Sequence, residues 1–158
     1  MPTTPAYLAG ADFPGADFAG ADIRGANLYC VDLTGACLAG ADLRGANLYC
    51  AEIVGADFTG ADLRGVDLAG TNHRGARLAG ANLAGADLRC MRLRGVDLAD
   101  ADLTGAYLQS ADLRDADLRG ADLAGAYLVW TDLAGARRDP SDPAIPGWIV
   151  VDGQLTKS

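Results

Sequence analysis

From Ala6 to Gly135 the chain reads as 26 consecutive pentapeptides with no insertion. The middle residue of the unit is Leu, Ile or Phe in 25 of them, beginning Leu8, Phe13, Phe18, Ile23 and Leu28, and the exception is His73. Ala lies two residues before that centre in 20 units, and Gly lies two residues after it in 19. This spacing excludes the ordinary elements. On an α-helix a step of five residues turns about 140°, so the apolar positions would wander around the cylinder. In a flat strand an odd step sends successive leucines to opposite faces. What remains is a short extended piece whose Ala and central residue both point inward, closed by a corner that Gly turns without strain. A fixed short period of this kind marks a solenoid, in which each unit buries its apolar side only against its neighbours.

The decapeptides 21–30 (ADIRGANLYC) and 41–50 (ADLRGANLYC) differ only at Ile23 versus Leu43 and start 20 residues apart. Four pentapeptides therefore complete a coil, with Tyr29 over Tyr49 and Cys30 over Cys50. At the usual strand separation of about 4.8 Å, the repeats make about 6.5 coils and a rod about 30 Å long. The pattern A(D/N)LxG, which covers 130 of the 158 residues, resembles that of the pentapeptide-repeat family. The resemblance implies an all-β fold, a right-handed quadrilateral β-helix in which the Ala-position and central side chains face inward. The expected organisation is a lead-in at 1–5, the β-helix at 6–135 and a C-terminal cap at 136–158.

Composition narrows the function. A chain of 158 residues is one domain, and the repeat leaves no room for a second. Net charge is −8 and Lys157 is the sole lysine, which argues against direct nucleic-acid binding by phosphate neutralisation. With no charged-then-apolar leader and no apolar run of about 18 residues, the expectation is a cytoplasmic protein that makes no membrane contact. Cys30, Cys50 and Cys90 replace the corner Gly, and Cys37 takes the usual Asp position. Parallel side-chain vectors and a cytosolic setting favour free thiols over a Cys30–Cys50 disulfide. No four ligands converge, so neither a metal nor a cofactor is expected.

Each end has its own signal. Pro2, Pro5 and Pro14 donate no hydrogen bond to an incoming strand and so blunt the open N-terminal end; otherwise that end is an assembly surface. Between Thr71 and Gly95 the consensus is disturbed at Thr71, His73, Arg77, Met91 and Arg92, the expected place for a bulge or bend. His73 should point inward between Ile53 and Leu93, either as a neutral ring bonded to Thr71 or a backbone carbonyl, or as a ligand or proton switch. After Gly135 the pattern stops at Arg137 and Arg138. A proline-rich strap (139–147, DPSDPAIPG) leads to the β-prone WIVV of 148–151, the turn pair Asp152-Gly153 and Leu155. Ile145, Trp148 or Ile149 would cover the last core leucines, since terminal repeats need a cap. Alternatively WIVV pairs with a second copy.

Sorting outward residues by their place in the 20-residue period separates four faces. One carries all five tyrosines, Tyr7, Tyr29, Tyr49, Tyr107 and Tyr127, with Trp130, and its only charges are Asp67, Asp87 and Arg89. Aromatic enrichment with charge depletion is the composition of an interface core, although stacked rings also stabilise neighbouring coils directly. The other faces are acidic with interleaved arginines. The most acidic, at −3, sets Asp17, Asp57, Asp97, Asp100 and Asp117 against Arg77 and Arg119.

Enzymatic activity is not expected, because a packed Leu and Ala interior leaves no pocket for positioned catalytic groups. Two binding functions remain. In the first, the rod is a rigid, non-enzymatic interaction module whose tyrosine face meets a protein partner or a second copy, as a homodimer through the C-terminal cap or a coil end. The second is implied by the resemblance. Some pentapeptide-repeat proteins are acidic, DNA-shaped rods that occupy the DNA-binding saddle of DNA gyrase, a type II topoisomerase, and confer quinolone resistance or immunity to a gyrase poison.

Overall fold

The computed structural model describes residues 7–158; the lead-in at 1–5, with Pro2 and Pro5, lies outside them. The chain is a β-helix solenoid. Its backbone ladder consists of parallel bridges between residues twenty apart, in four columns. One column runs Tyr7, Asn27, Asn47, Asp67, Asp87, Tyr107 and Tyr127. The next two begin at Asp12 and Asp17, and the fourth joins Asp22 to Asp42, Asp62, Asn82, Asp102 and Asp122. A representative rung has Leu33 N–H donating to the Glu52 carbonyl at 2.7 Å, Gly35 N–H to Val54 at 2.8 Å and Asp32 N–H to Ala11 at 3.0 Å.

These rungs are bridges rather than strands for a simple reason. Each unit also closes a hydrogen-bonded turn, as when Ala36 N–H donates to the Leu33 carbonyl at 2.9 Å. Once the turn has used its residues, five leave no run long enough to count as a strand. The third turn residue has positive φ, 66° at Gly35, which is why Gly recurs there. Seven corners lack Gly yet keep the conformation: Cys30, Cys50, Cys90, Asp100, Ser110, Asp115 and Trp130 have φ between 53° and 59°. A side chain there costs roughly 1–2 kcal/mol.

The inward columns form one continuous core, in which Ala51, Phe58, Leu63, Leu83, Leu103 and Leu118 are fully buried. Burial tapers at the first coil, where Leu8, Phe13, Phe18 and Ile23 are only partly covered and the rings of Phe13 and Phe18 meet edge to face at 5.5 Å. That end presents core-type side chains that no described residue covers.

At the other end the inward pattern runs one unit further than the sequence suggests. Ala136 is fully buried, Arg137 bridges Asp117 in the coil ladder, and Arg138 occupies the inward slot with 2 % of its surface exposed. A charged residue fits a leucine slot there because the rod ends: the Arg138 guanidinium donates to the carbonyls of Leu118, Ala121 and Pro143 at 3.1–3.3 Å. Strands β1 (Trp148–Val151) and β2 (Gln154–Lys157) form an antiparallel hairpin through Asp152 and Gly153, both with positive φ. β2 docks on the last coil, with Leu155 N–H donating to Ala136 and Gly135 N–H to Leu155. Ile145 and Leu155 are buried and Trp148 packs partly on the core. Ile149 is half exposed and covers nothing. Alternate strand residues face opposite ways, so turning Trp148 inward turns Ile149 out.

Candidate functional site

The outward position just before each central residue is Asp or Asn in 19 of 26 units, and the structure gives the reason. Its side-chain oxygen accepts the backbone N–H two residues on, as in Asp17 to Ala19 (3.0 Å), Asn47 to Tyr49 (3.0 Å) and Asp102 to Thr104 (2.9 Å). Asp and Asn are the residues whose length suits this Asx turn, so the carboxylate columns exist first to shape the corner. A D-or-N restriction that almost excludes Glu is the sequence signal for that role.

Arginine answers about half of the charge on those columns: eight of the 16 acids at this position form an ion pair among the described residues. Arg24, Arg44 and Arg64 each pair with the Asp two residues before them, at 2.6–2.7 Å. Arg24 and Arg44 also reach the Asp one coil on, at 3.6 Å. The candidate acidic face is less acidic than its composition suggests. Asp117 is buried between Arg119 (2.6 Å) and Arg137 (2.7 Å), and Asp57 accepts from Arg77 at 3.2 Å. Because the ladder continues to Arg137, this face gains a third arginine. Asp17, Asp97 and Asp100 are its only acids without an ion pair among the described residues.

The same kind of pair should make the fold sensitive to acid. The Asp42 carboxyl is held down at about 2, chiefly by the Arg44 hydrogen bond, and Asp62, Asp87, Asp112 and Asp117 are lowered mainly by Arg64, Arg89, Arg114 and Arg119. A carboxylate lowered on folding contributes stability that is whole above its unfolded pKa and is lost as pH falls through the folded one. Thermal melts should therefore give a level midpoint from about pH 8 to 5 and a steep fall between about pH 4 and 2. A midpoint still level at the acid end would remove these pairs from the stability of the rod.

The aromatic column is not one stripe. Tyr29 and Tyr49 stack with ring centroids 6.0 Å apart and planes 4° from parallel, and Tyr107 and Tyr127 stack at 5.0 Å and 3°. Between the pairs lie Asp67 and the Asp87–Arg89 ion pair. Tyr7, Tyr107 and Tyr127 occupy the Asx-turn position and forgo its hydrogen bond. The C-terminal unit goes furthest: Tyr127 and Val129 are about half exposed, and Trp130 is 85 % exposed at a corner with φ of 59°.

Elsewhere the described residues hold no group of three or more His, Cys, Asp or Glu able to bind a metal, and no helix long and apolar enough to cross a membrane. The four cysteines are free thiols. His73 lies in the inner column, where Nε2 is 2.6 Å from the Arg92 carbonyl and Nδ1 is 3.2 Å from that of Thr71.

A family model described as pentapeptide repeats matches residues 6–38, 26–65, 61–100 and 101–137, with eight copies. Among solved structures, HetL of the cyanobacterium Nostoc, a pentapeptide-repeat protein involved in heterocyst differentiation regulation, is 36% identical; the match covers 88% of this chain and 70% of that one, with a TM-score of 0.34. The Nostoc pentapeptide-repeat protein alr5209 is also 36% identical, over 53% of this chain and 67% of its own, with a TM-score of 0.50. QnrB1, a plasmid-mediated fluoroquinolone resistance protein, is 18% identical over 87% of this chain and 84% of that one, with a TM-score of 0.51. No curated protein sequence matches the chain.

Proposed function

The chain belongs to the pentapeptide-repeat family, and we propose that it works as a non-catalytic, rigid interaction module whose aromatic column meets a protein partner or a second copy of itself. On this reading the rod is a right-handed four-sided coil of about 6.5 turns, stiff enough to present the column as a fixed surface. One observation carries the proposal. Trp130 stands where the repeat wants Gly, in a backbone conformation that costs a side chain free energy, and yet its indole is 85 % exposed. Neither burial nor turn geometry explains that choice, whereas an exposed indole beside Tyr127 and Val129 has the make-up of an interface anchor.

Replacing Trp130 with Gly should remove the anchor and relieve the corner together. Folding stability should stay level or rise by up to about 1 kcal/mol, while concentration-dependent self-association in sedimentation velocity, or capture of the partner, is lost. Association that survives Trp130→Gly unchanged would sink the aromatic-column reading.

A second reading, a DNA mimic that binds a type II topoisomerase, is supported by the net charge of −8. The likeness to QnrB1 carries the fold alone, and the arginine pairs within the Asp columns weigh against a phosphate-like potential. Gyrase supercoiling with and without a quinolone separates the two: protection of the enzyme at micromolar protein would replace the first reading by the second.

A further inference from the structure

Among the described columns of bridges, one rung is missing: Glu52 pairs with Asn72 and Arg92 with Asp112, but Asn72 does not pair with Arg92. We propose that this opened rung is a binding site for a phosphate group. The cause of the opening is His73. Where its neighbour Ile53 sends its amide to the Asn72 carbonyl at 2.9 Å, the corresponding Arg92 carbonyl is taken by the His73 ring, 2.6 Å from Nε2. The imidazole acts as a wedge, and the ladder bonds of this rung, from the N–H groups of His73, Gly75 and Arg92, are not made among the described residues. A cavity of about 610 Å³ opens there, lined by Thr71, His73, Arg74, Met91, Arg92 and Arg94.

Two further observations point to an anion. Thr71 and Thr131 occupy the same inward slot of the repeat, and both are buried. The hydroxyl of Thr131 donates to the Leu108 carbonyl at 2.7 Å, whereas that of Thr71, on the cavity wall, has no partner among the described residues. A buried hydroxyl left in this way calls for a partner that the protein itself does not supply. Charge is the second. In a chain of net −8, this cavity is lined by three arginines, and among the described residues only Arg94 forms an ion pair, to Asp115 at 2.9 Å. The nearby acids are engaged elsewhere, Glu52 by the Asn72 amide and Asp112 by Arg114. Guanidinium groups together with free backbone N–H donors are the chemistry that holds phosphate oxygens. The cavity has room for a small phosphomonoester as well as for the free ion.

The site lies on a different column from Trp130 and stands independently of the interaction reading. Its test is a titration followed through the backbone amide resonances of His73, Gly75 and Arg92, with inorganic phosphate, ribose 5-phosphate and acetate as probes. Both phosphates should move these amides saturably; a tighter ribose 5-phosphate indicates a phosphomonoester, and equal affinity indicates the free ion. The exposed pair Arg74→Gln with Arg92→Gln should weaken binding at least about tenfold without altering the fold by circular dichroism. His73→Leu should rebuild the rung, raise the melting temperature and abolish binding. Amides that stay still at tens of millimolar phosphate, acetate binding as well as phosphate, or undiminished binding to His73→Leu would each overturn the proposal.

Discussion

Phe58→Ala should destabilise the rod by about 3–5 kcal/mol, the usual range for emptying a Phe-sized site in a packed core. Phe58 is the largest fully buried side chain and lies mid-rod in the inward column that includes Phe18, Leu38, Leu78 and Leu98. The cost should lie at the upper end because the walls have little freedom to collapse: the rungs of this column are fixed by bonds such as Phe58 N–H to the Arg77 carbonyl at 2.8 Å, and Leu38 and Leu78 fill the inward slots on either side of it. Phe18 supplies the control. It belongs to the same column, but in the first coil, only partly buried and touching Phe13 edge to face. Urea unfolding should show Phe18→Ala costing well under half as much as Phe58→Ala. Equal losses would mean that the burial gradient along the rod has no energetic weight.

The burial gradient was not legible in the sequence, but the inward slots themselves were, since they announce themselves as Ala and Leu at fixed spacing, and the repeated decapeptides identify which residues stack. Tyr29 over Tyr49 is the direct consequence. The corner was equally legible as a Gly position, and the free choice of Cys, Asp, Ser or Trp there marks positions where something other than folding selects the residue. Two features were hidden because they depend on atoms outside the residue's own pentapeptide unit. The wedge role of His73 needs the Arg92 carbonyl 19 residues away, so the sequence shows a disturbed stretch and an inward imidazole but no cavity. Arg137 reads as the end of the pattern, yet the ladder sets it over Asp117 and removes charge from the face that looked most acidic. The tyrosines lay between these cases: their shared face followed from the period, while the division into two stacks depended on giving due weight to Asp67 and Asp87.

Arg138→Leu should destabilise the C-terminal end by about 1–3 kcal/mol, although it restores the residue type that the repeat prefers. Two effects compete. Burying a leucine in the slot contributes about 2 kcal/mol. Against it, the carbonyls of Ala121 and Pro143 lose their donor where water has poor access, at about 1–3 kcal/mol for each acceptor left unpaired, while the Leu118 carbonyl keeps the Ala121 N–H. Burial already pulls the Arg138 pKa down from its ordinary value, against Asp142, which pulls it up. The guanidinium is thus retained at some desolvation cost because it ties three carbonyls and the proline-rich strap together. Losing it should free the strap first, so that hydrogen exchange at the Leu155 amide, bonded to Ala136, accelerates before the coils melt. A variant that exchanges and unfolds like the parent would show that the slot merely tolerates arginine, and that the hairpin caps the rod without it.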